Sequence, residues 1–493
     1  MSPVRTTAAV AAVDLGATSG RVILGGLVDG RLRMRHVARF PNQPVRLHEG
    51  DRAGLHWNIT ELHRSVTAGL AQALRQEDDV VSVGVDSWAV DYALLRHGRM
   101  LGVPYHYRDE RTAAGVAAVH ARVGREELYR RNGLQHLPFN TVFQLADDRL
   151  AGDLAVADRA LLIPDLVAYL LTGQQVAEAT NASTTGLLDA RTGQWDTGLL
   201  DELGFARELL APVVTPGTTI GELLPAVAAE LGADPGLPVT AVGSHDTASA
   251  VAAVPSTAED AAFISSGTWS LVGIELEAPV LGEESRAANF TNEGGVDGRV
   301  RYLKNVSGLW LLTESMRTWD GPGATDAQRS SDLSALLAEA AAVTRPVAVF
   351  DATDDRFTAP GDMPARITAW CREHDVEPPR GRAEVVRSIL ESLAAAYATT
   401  IEQAERLSGR SIRTVHVVGG GSQNALLCQL TADRTGRTVH AGPVEATAIG
   451  NVLVQLRAAG VLSGTLEALR ELVTRTFEPV RYEPRVLSPA RRS

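Results

Sequence analysis

The chain opens on short apolar runs rather than helical stripes. Ala8 to Val13 is unbroken, Val22 to Leu27 follows after a Gly-containing turn, and Leu32 to Phe40 alternates beyond Asp29-Gly30. Runs this short, bounded by turn residues, predict strands, and three in succession predict a meander. Leu62, Val66, Leu70 and Leu74 are then spaced for one buried face, which predicts a helix to about Gln76 with Asn58 and Thr60 as its caps. Val80 to Val85 is the next predicted strand.

Helical spacing dominates from Arg125 to Leu171, where Ile163-Pro164-Asp165 opens a segment that stops at Gly173. Asn181 to Gly186 reads as a polar turn, Asp196 to Leu210 as a helix, and Pro212 to Pro238 as a Pro/Gly-rich connection. Phe263 to Gly273 repeats the opening device of strand, hydroxyl-rich Gly turn and strand. Asn289 to Gly295 reads as another polar turn, a helix is expected to end near Trp319, and Asp354 to Pro364 reads as a long exposed loop. Val386, Ile389, Leu390, Leu393, Tyr397, Ile401 and Ala404 mark a helix over Glu384 to Leu407, stopped by Gly409. Thr414 to Val418 predicts a strand, Gly419 to Asn424 a turn, and Ala425 onward a helix that Asn424 is placed to cap. The strand Thr438 to Ala441 and the helix Glu445 to Ala459 complete a second strand and helix unit, so the class is α/β.

A chain of 493 residues exceeds what one core normally supports, so two domains are expected, over 1–246 and 247–493. The net charge is −12, with no basic run longer than the terminal Ala-Arg-Arg-Ser, which argues against nucleic acid as a partner. Only Cys371 and Cys428 are present, too few for a zinc cluster and no disulfide framework. The first apolar run meets Asp14 too soon for a signal-peptide core, and no run is long enough to cross a bilayer. A soluble cytoplasmic protein, a monomer or weak homodimer without membrane partners, is the expectation. Lys304 is the sole lysine and follows no Gly-rich loop, which excludes Walker A and protein-kinase layouts. ATP would have to be held by amides, hydroxyls, magnesium and arginine.

Near mid-chain, Leu237 to Val242 delivers Gly243-Ser244-His245-Asp246-Thr247. A carboxylate at such a strand end suits a general base, although an Asp before an Ala-rich segment serves equally as a helix cap. The first hairpin, Asp14 to Arg21, offers Gly16 and Gly20 for close approach of amides to an oxyanion, with hydroxyls from Thr18 and Ser19. Asp14 is placed to hold magnesium through water. In Asp86-Ser87-Trp88-Ala89-Val90-Asp91, carboxylates flank an indole, which fits either a sugar wall or a core tryptophan. Pro104 to Arg111 packs aromatics and charges as a ligand wall or an ion-pair network, and three glycines at Gly419 to Gly421 favour backbone lying against a nucleotide.

These segments, in this order, resemble the FGGY carbohydrate kinases across nearly the whole chain. Pro-Tyr-His-Tyr-Arg-Asp, Lys-Asn-Val-Ser-Gly-Leu-Trp-Leu-Leu and Ala-Gly-Pro-Val-Glu-Ala are most similar to members that phosphorylate L-rhamnulose. The resemblance implies a two-domain actin-like, ribonuclease H-like duplicated fold with a central cleft, and transfer of the γ-phosphoryl of ATP to the sugar 1-hydroxyl. It implies Asp246 as the base and Asp14 as the Mg2+ residue. Ala17, Thr18, Ser19, Gly20, Arg21, Thr268, Thr313 and Gly420 would contact ATP, and Ala89, His245, Asp246, Thr247 and Asn305 the sugar. Ala89 stands where the family has Gly, and Thr313 where it has Gln. Another ketose, L-fuculose or a ketopentose, is the nearest alternative, and a non-catalytic ATP- or sugar-binding regulator the more distant one.

Overall fold

The structure, a computed structural model, describes residues 8–50, 52–320 and 326–485, so the basic Ala-Arg-Arg-Ser end lies outside the described residues. By contact the chain divides into two compact units, the first made of residues 1–257, 275–302 and 445–477, the second of 258–274, 303–444 and 478–493. Both are therefore discontinuous in sequence, and the late helix Ala446–Ala458 returns to the first unit because its apolar face packs on the sheet there.

In the first unit six strands lie in the order Thr219–Glu222, Pro238–Thr240, Val80–Ser87, Ala9–Leu15, Ser19–Val28 and Arg31–Pro41. The opening three form the antiparallel meander that their hydrophobic pattern predicts, and Ala9–Leu15 runs parallel to Val80–Ser87. Every residue of Ala9–Leu15 is buried, as expected for a strand covered on both faces. The helix Ile59–Gln76 forms as its stripe requires, but Asn58, at its cap position, makes no side-chain capping bond, and Thr60 only touches Asn58 Oδ1 at 3.4 Å.

One helix crosses this sheet very closely. Asn451 and Gln455 of Ala446–Ala458 reach into it: Asn451 Nδ2 donates to Asp86 Oδ2 (2.6 Å), and Gln455 Nε2 donates to Asn451 Oδ1 (2.6 Å) and Ala11 O (3.2 Å). The approach demands Gly84, where a Cβ would sit 2.6 Å from Gln455 Nε2. The same helix meets Asp246–Ala252 through Gly450, whose Cβ would fall 1.8 Å from the Ser249 carbonyl oxygen.

In the second unit Trp269–Leu276, Ala261–Ser266, Thr414–Val418, Thr438–Ala441 and Val480–Tyr482 are successive neighbours. Ala261–Ser266 pairs antiparallel with the strand after its Gly turn and parallel with Thr414–Val418, the arrangement that Ala9–Leu15 has in the first unit. The echo between the two hairpins is thus an echo of topology. The long helix, Gly381–Ser408, ends at Gly409 with φ 71°, and Asn424 Oδ1 caps Ala425–Thr435 by accepting from Leu427 N (3.0 Å).

Two loop expectations are corrected: Asn181–Gly186 is buried and begins in the short helix Ala179–Ala182, and Asn289–Gly295 contains the strand Thr291–Gly294. The 354–364 segment is largely the loop expected, exposed or half-buried with one 3₁₀ turn, although it buries Phe357 and Met363. Asp196–Leu210 is a shorter helix, Thr197–Leu203, followed by a single 3₁₀ turn. In Asn181–Gly186 and Asn289–Gly295 polar composition suggested solvent where the side chains find buried partners. Both cysteines are buried and free, and among the described residues no helix is long and apolar enough to cross a membrane.

Candidate functional site

Asp246 is the first residue of the helix Asp246–Ala252, with His245 at the cap position. It is not a cap: its Oδ1 accepts the Thr247 hydroxyl (3.0 Å) and faces His245 Nε2 (3.4 Å), while Oδ2 makes no hydrogen bond among the described residues. The side chain keeps 31% exposure in surroundings that are otherwise buried. A carboxylate with one oxygen restrained and the other open can accept a proton from a ligand.

The turn delivering it is held from beneath by Glu178, which the sequence reading missed. This fully buried carboxylate accepts from Thr180 N (2.9 Å) and Oγ1 (2.5 Å), Asn181 N (3.2 Å), and Ser244 N (3.0 Å) and Oγ (2.7 Å). Burial pushes its pKa up, against those hydrogen bonds. Ser87 N donates to Ser244 O (2.9 Å), so the ends of two neighbouring segments are tied together.

Asp14 and Asp86 are register partners on parallel strands, and their charges also sense Asp246. Burial raises the Asp14 pKa to about 6, with Arg21 opposing and Asp246 and Glu445 reinforcing. Burial likewise lifts Asp86 well above the carboxylate range, followed by the charge of Asp14. Arg21 Nε donates to Asp14 Oδ2 (2.9 Å) and its NH1 to Glu445 Oε2 (2.7 Å), so the guanidinium expected to meet ATP is already engaged. Asp86 Oδ1 is buried with no partner. A hydrated divalent cation suits such a pair, oxygen-rich and short of positive charge. No group of three or more His, Cys, Asp or Glu among the described residues is arranged to hold a metal by itself, so further ligands must come from water or substrate.

In the first hairpin, the amides of half-buried Ala17 and exposed Thr18 make no hydrogen bond among the described residues, whereas the carbonyls of Gly16 and Thr18 accept from Asn42 Nδ2 (2.9 Å) and N (3.0 Å). Donors are left free while acceptors are tied back, as an anion cradle requires. Gly20 has another purpose: a Cβ there would lie 2.3 Å from the partly buried Phe40 ring, so the glycine makes room for that ring rather than for an oxyanion. Ser19 begins the second strand.

The second unit places Thr268 in its own hairpin turn, with its carbonyl accepting from Trp310 N (3.1 Å) at the start of the helix Trp310–Asp320. Gly308 is required beside it, since a Cβ would fall 2.5 Å from Trp269 C. Thr313 is exposed on that helix, and Asn305 is half-buried on Val300–Ser307. The three glycines at 419–421 separate by cause. Gly419, with φ 82°, and Gly421 would both collide with Ser266, whereas Gly420 faces open space. Of the three, Gly420 alone has open space where a Cβ would be.

The Trp88 region resolves differently from a sugar wall. Trp88 is buried and stacks on fully buried Trp57 (3.8 Å), which also stacks on His106 (4.0 Å). Asp91 accepts from Trp57 Nε1 (2.6 Å), Trp88 Nε1 (3.2 Å), Tyr107 N (3.0 Å) and Gln144 Nε2 (2.9 Å). Burial raises its pKa to about 7 against these bonds. With four buried donors converging on it, Asp91 is an internal hub. Asp91→Ala is expected to cost about 3 kcal/mol or more, because several buried donors lose their acceptor at once; thermal unfolding checks this, and wild-type stability would contradict it. Ala89 stays half-buried beside this hub, next to Val90, whose φ of 67° is unusual for a β-branched residue. Pro104–Arg111 is an ion-pair network: Arg111 pairs with Asp148 and Asp147 (3.4 Å), and stacks over Tyr105 (4.1 Å).

Residues 9–253 match the N-terminal domain, and residues 262–459 the C-terminal domain, of the FGGY family of carbohydrate kinases. A protein named rhamnulokinase from Pectobacterium carotovorum is 43% identical over 484 residues, covering 97% of this chain and 94% of that one. One of the same name from Bacteroides thetaiotaomicron is 40% identical over 476 residues, covering 96% and 95%. Among solved structures, gluconate kinase from Lactobacillus acidophilus superposes with a TM-score of 0.75 at 16% identity, covering 97% of this chain and 94% of that one. Plasmodium falciparum glycerol kinase with ADP gives 0.72 at 15% identity, with the same coverage. At such identities the structures speak for the two-domain α/β fold.

Proposed function

The chain belongs to the FGGY family of carbohydrate kinases and is an ATP-dependent sugar kinase; from that premise we propose that it phosphorylates L-rhamnulose on the 1-hydroxyl, with Asp246 as general base. The name shared by relatives at 40–43% identity supports the sugar. The open Oδ2 of Asp246 is the observation that carries the chemistry.

In this reading Asp246 Oδ2 takes the hydroxyl proton as the sugar oxygen bonds to the γ-phosphorus. The bond from that phosphorus to the bridging oxygen breaks, and ADP leaves with the electron pair. Positioning and charge neutralisation supply most of the acceleration in such transfers, so a fixed carboxylate with oriented amides suffices on the protein side. Asp14 and Asp86 are the residues that fit Mg2+, which when bound offsets the negative charge of the phosphates. Nucleotide contacts are assigned to Ala17, Thr18, Ser19, Arg21, Thr268, Thr313 and Gly420, with free amides at Ala17 and Thr18 the best supported. His245, Thr247, Asn305 and Ala89 are assigned to the sugar. Arg21 would have to share its contact with Asp14 and Glu445.

A panel of ketoses with MgATP, read by ADP release, tests the assignment. L-rhamnulose should give the highest kcat/KM. Preference for L-fuculose or a ketopentose would transfer the reading to that sugar, with Ala89 the position to revert to Gly. ADP release with none of them would favour a binding role.

A further inference from the structure

Behind Asp246 lies a buried charge network that neither motif nor composition announces. Arg301 has no solvent exposure, and Glu293 and His245 are nearly as enclosed. Arg301 Nε donates to Gly294 O (2.8 Å), and NH2 lies 3.1 Å from His245 Nδ1. Its NH1 lies 3.2 Å from Glu293 Oε2, which in turn is 3.3 Å from His245 Nδ1. On its far side the imidazole presents Nε2 to Asp246 Oδ1 at 3.4 Å. All four residues belong to the first unit.

Donor chemistry decides how this chain of contacts is wired. A guanidinium carries only N–H donors, so Nδ1, 3.1 Å from Arg301 NH2, accepts there, while Glu293 Oε2, 3.3 Å from the same nitrogen, makes no hydrogen bond among the described residues. Accepting at Nδ1 leaves the ring hydrogen on Nε2, the atom that faces the carboxylate. Glu293 balances the buried guanidinium, without which an isolated charge would be too costly to keep there. Burial alone would push Glu293 up, but the charge of Arg301 beside it holds it below the ordinary carboxylate range.

We propose that Arg301 and Glu293 are positioning residues for phosphoryl transfer: Arg301, neutralised by Glu293, locks His245 as the Nε2–H tautomer, and that N–H orients Asp246 so that Oδ2 meets the sugar hydroxyl. The proposal rests on Asp246 as base. It adds that the base is aimed from behind by a group that touches neither sugar nor nucleotide. Thr247 donates to Oδ1, and His245 faces the same oxygen at 3.4 Å.

Nitrogen NMR of the full-length protein, labelled with ¹⁵N-histidine and with His245 assigned by its loss in His245→Gln, reads the tautomer directly. A protonated Nε2 and a bare Nδ1 are expected; a hydrogen on Nδ1 overturns the wiring. Because an isolated Arg301 substitution would strand Glu293, the functional test uses the paired variant Arg301→Met with Glu293→Leu, which removes both charges. Its kcat should fall on the order of ten- to a hundredfold, as when outer supporting partners of an active group are removed, with KM for ATP unchanged. A folded double variant with wild-type kcat overturns the proposal. His245→Gln, whose amide can donate from near the Nε2 position, should retain more kcat than His245→Asn, and equal values count against the relay. Failure of the base itself is told apart by Asp246→Asn: full activity there removes the base while leaving the NMR result standing.

Discussion

Asp246→Asn should lower kcat by about 10²–10⁴, the range associated with losing a positioned general base, while the dissociation constant for ATP stays within about twofold. Asn keeps the size of the side chain and an oxygen for the Thr247 hydroxyl, so the start of the helix Asp246–Ala252 is preserved. What disappears is the ability of Oδ2 to take a proton. Steady-state kinetics with the ketose and a calorimetric titration with the nucleotide separate the two quantities. Unchanged kcat would remove Asp246 from the chemistry, and loss of nucleotide binding would recast it as a structural residue.

Gly450→Ala should be nearly as damaging, though the residue touches no substrate. Helix propensity alone favours Ala over Gly by about 1 kcal/mol in a helix interior. Here the added Cβ would lie 1.8 Å from the Ser249 carbonyl oxygen and 2.9 Å from its Cα, both backbone atoms that cannot rotate away. The two helices must separate, and overpacking of this severity costs about 3 kcal/mol or more, which outweighs the propensity gain. Ser249 lies on the helix that begins at Asp246, so separation also moves the carboxylate. A displacement of about 1 Å is enough to cost on the order of 10²-fold in rate. A lowered Tm together with a fall in kcat is the expected pair of results. A variant with wild-type values for both would mean that the crossing is looser than the coordinates require.

The fold was legible where hydrophobic period and burial coincide. Ala9–Leu15 and Gly381–Ser408 could be read because their burial follows from their own sequence. The hidden charges could not. Glu178, Glu293 and Arg301 sit in segments whose polarity suggested turns or left no signal, and each has a partner remote in sequence; Glu178 and Ser244 are 66 positions apart, Arg301 and His245 56. Composition reports how polar a stretch is, but not whether a remote partner has been supplied for it. The glycines teach the same lesson. Gly20, Gly419 and Gly421 looked like phosphate-approach glycines and instead admit Phe40 or Ser266, distinctions visible only once neighbours are placed. Asp91 was correctly seen beside an indole, yet two indoles, a backbone amide and Gln144 converge on it.

The return of Ala446–Ala458 to the first sheet also bears on how the protein is made. Asn451 and its partner Asp86 are separated by 365 positions, so at about 5–20 residues per second the ribosome needs roughly 20–70 s to deliver one after the other. Throughout that interval the opening meander is already outside the exit tunnel with one face bare. A cell producing this kinase must therefore shield a half-built sheet for most of the time of its synthesis, and slowing translation late in the message should lower soluble yield more than slowing it early.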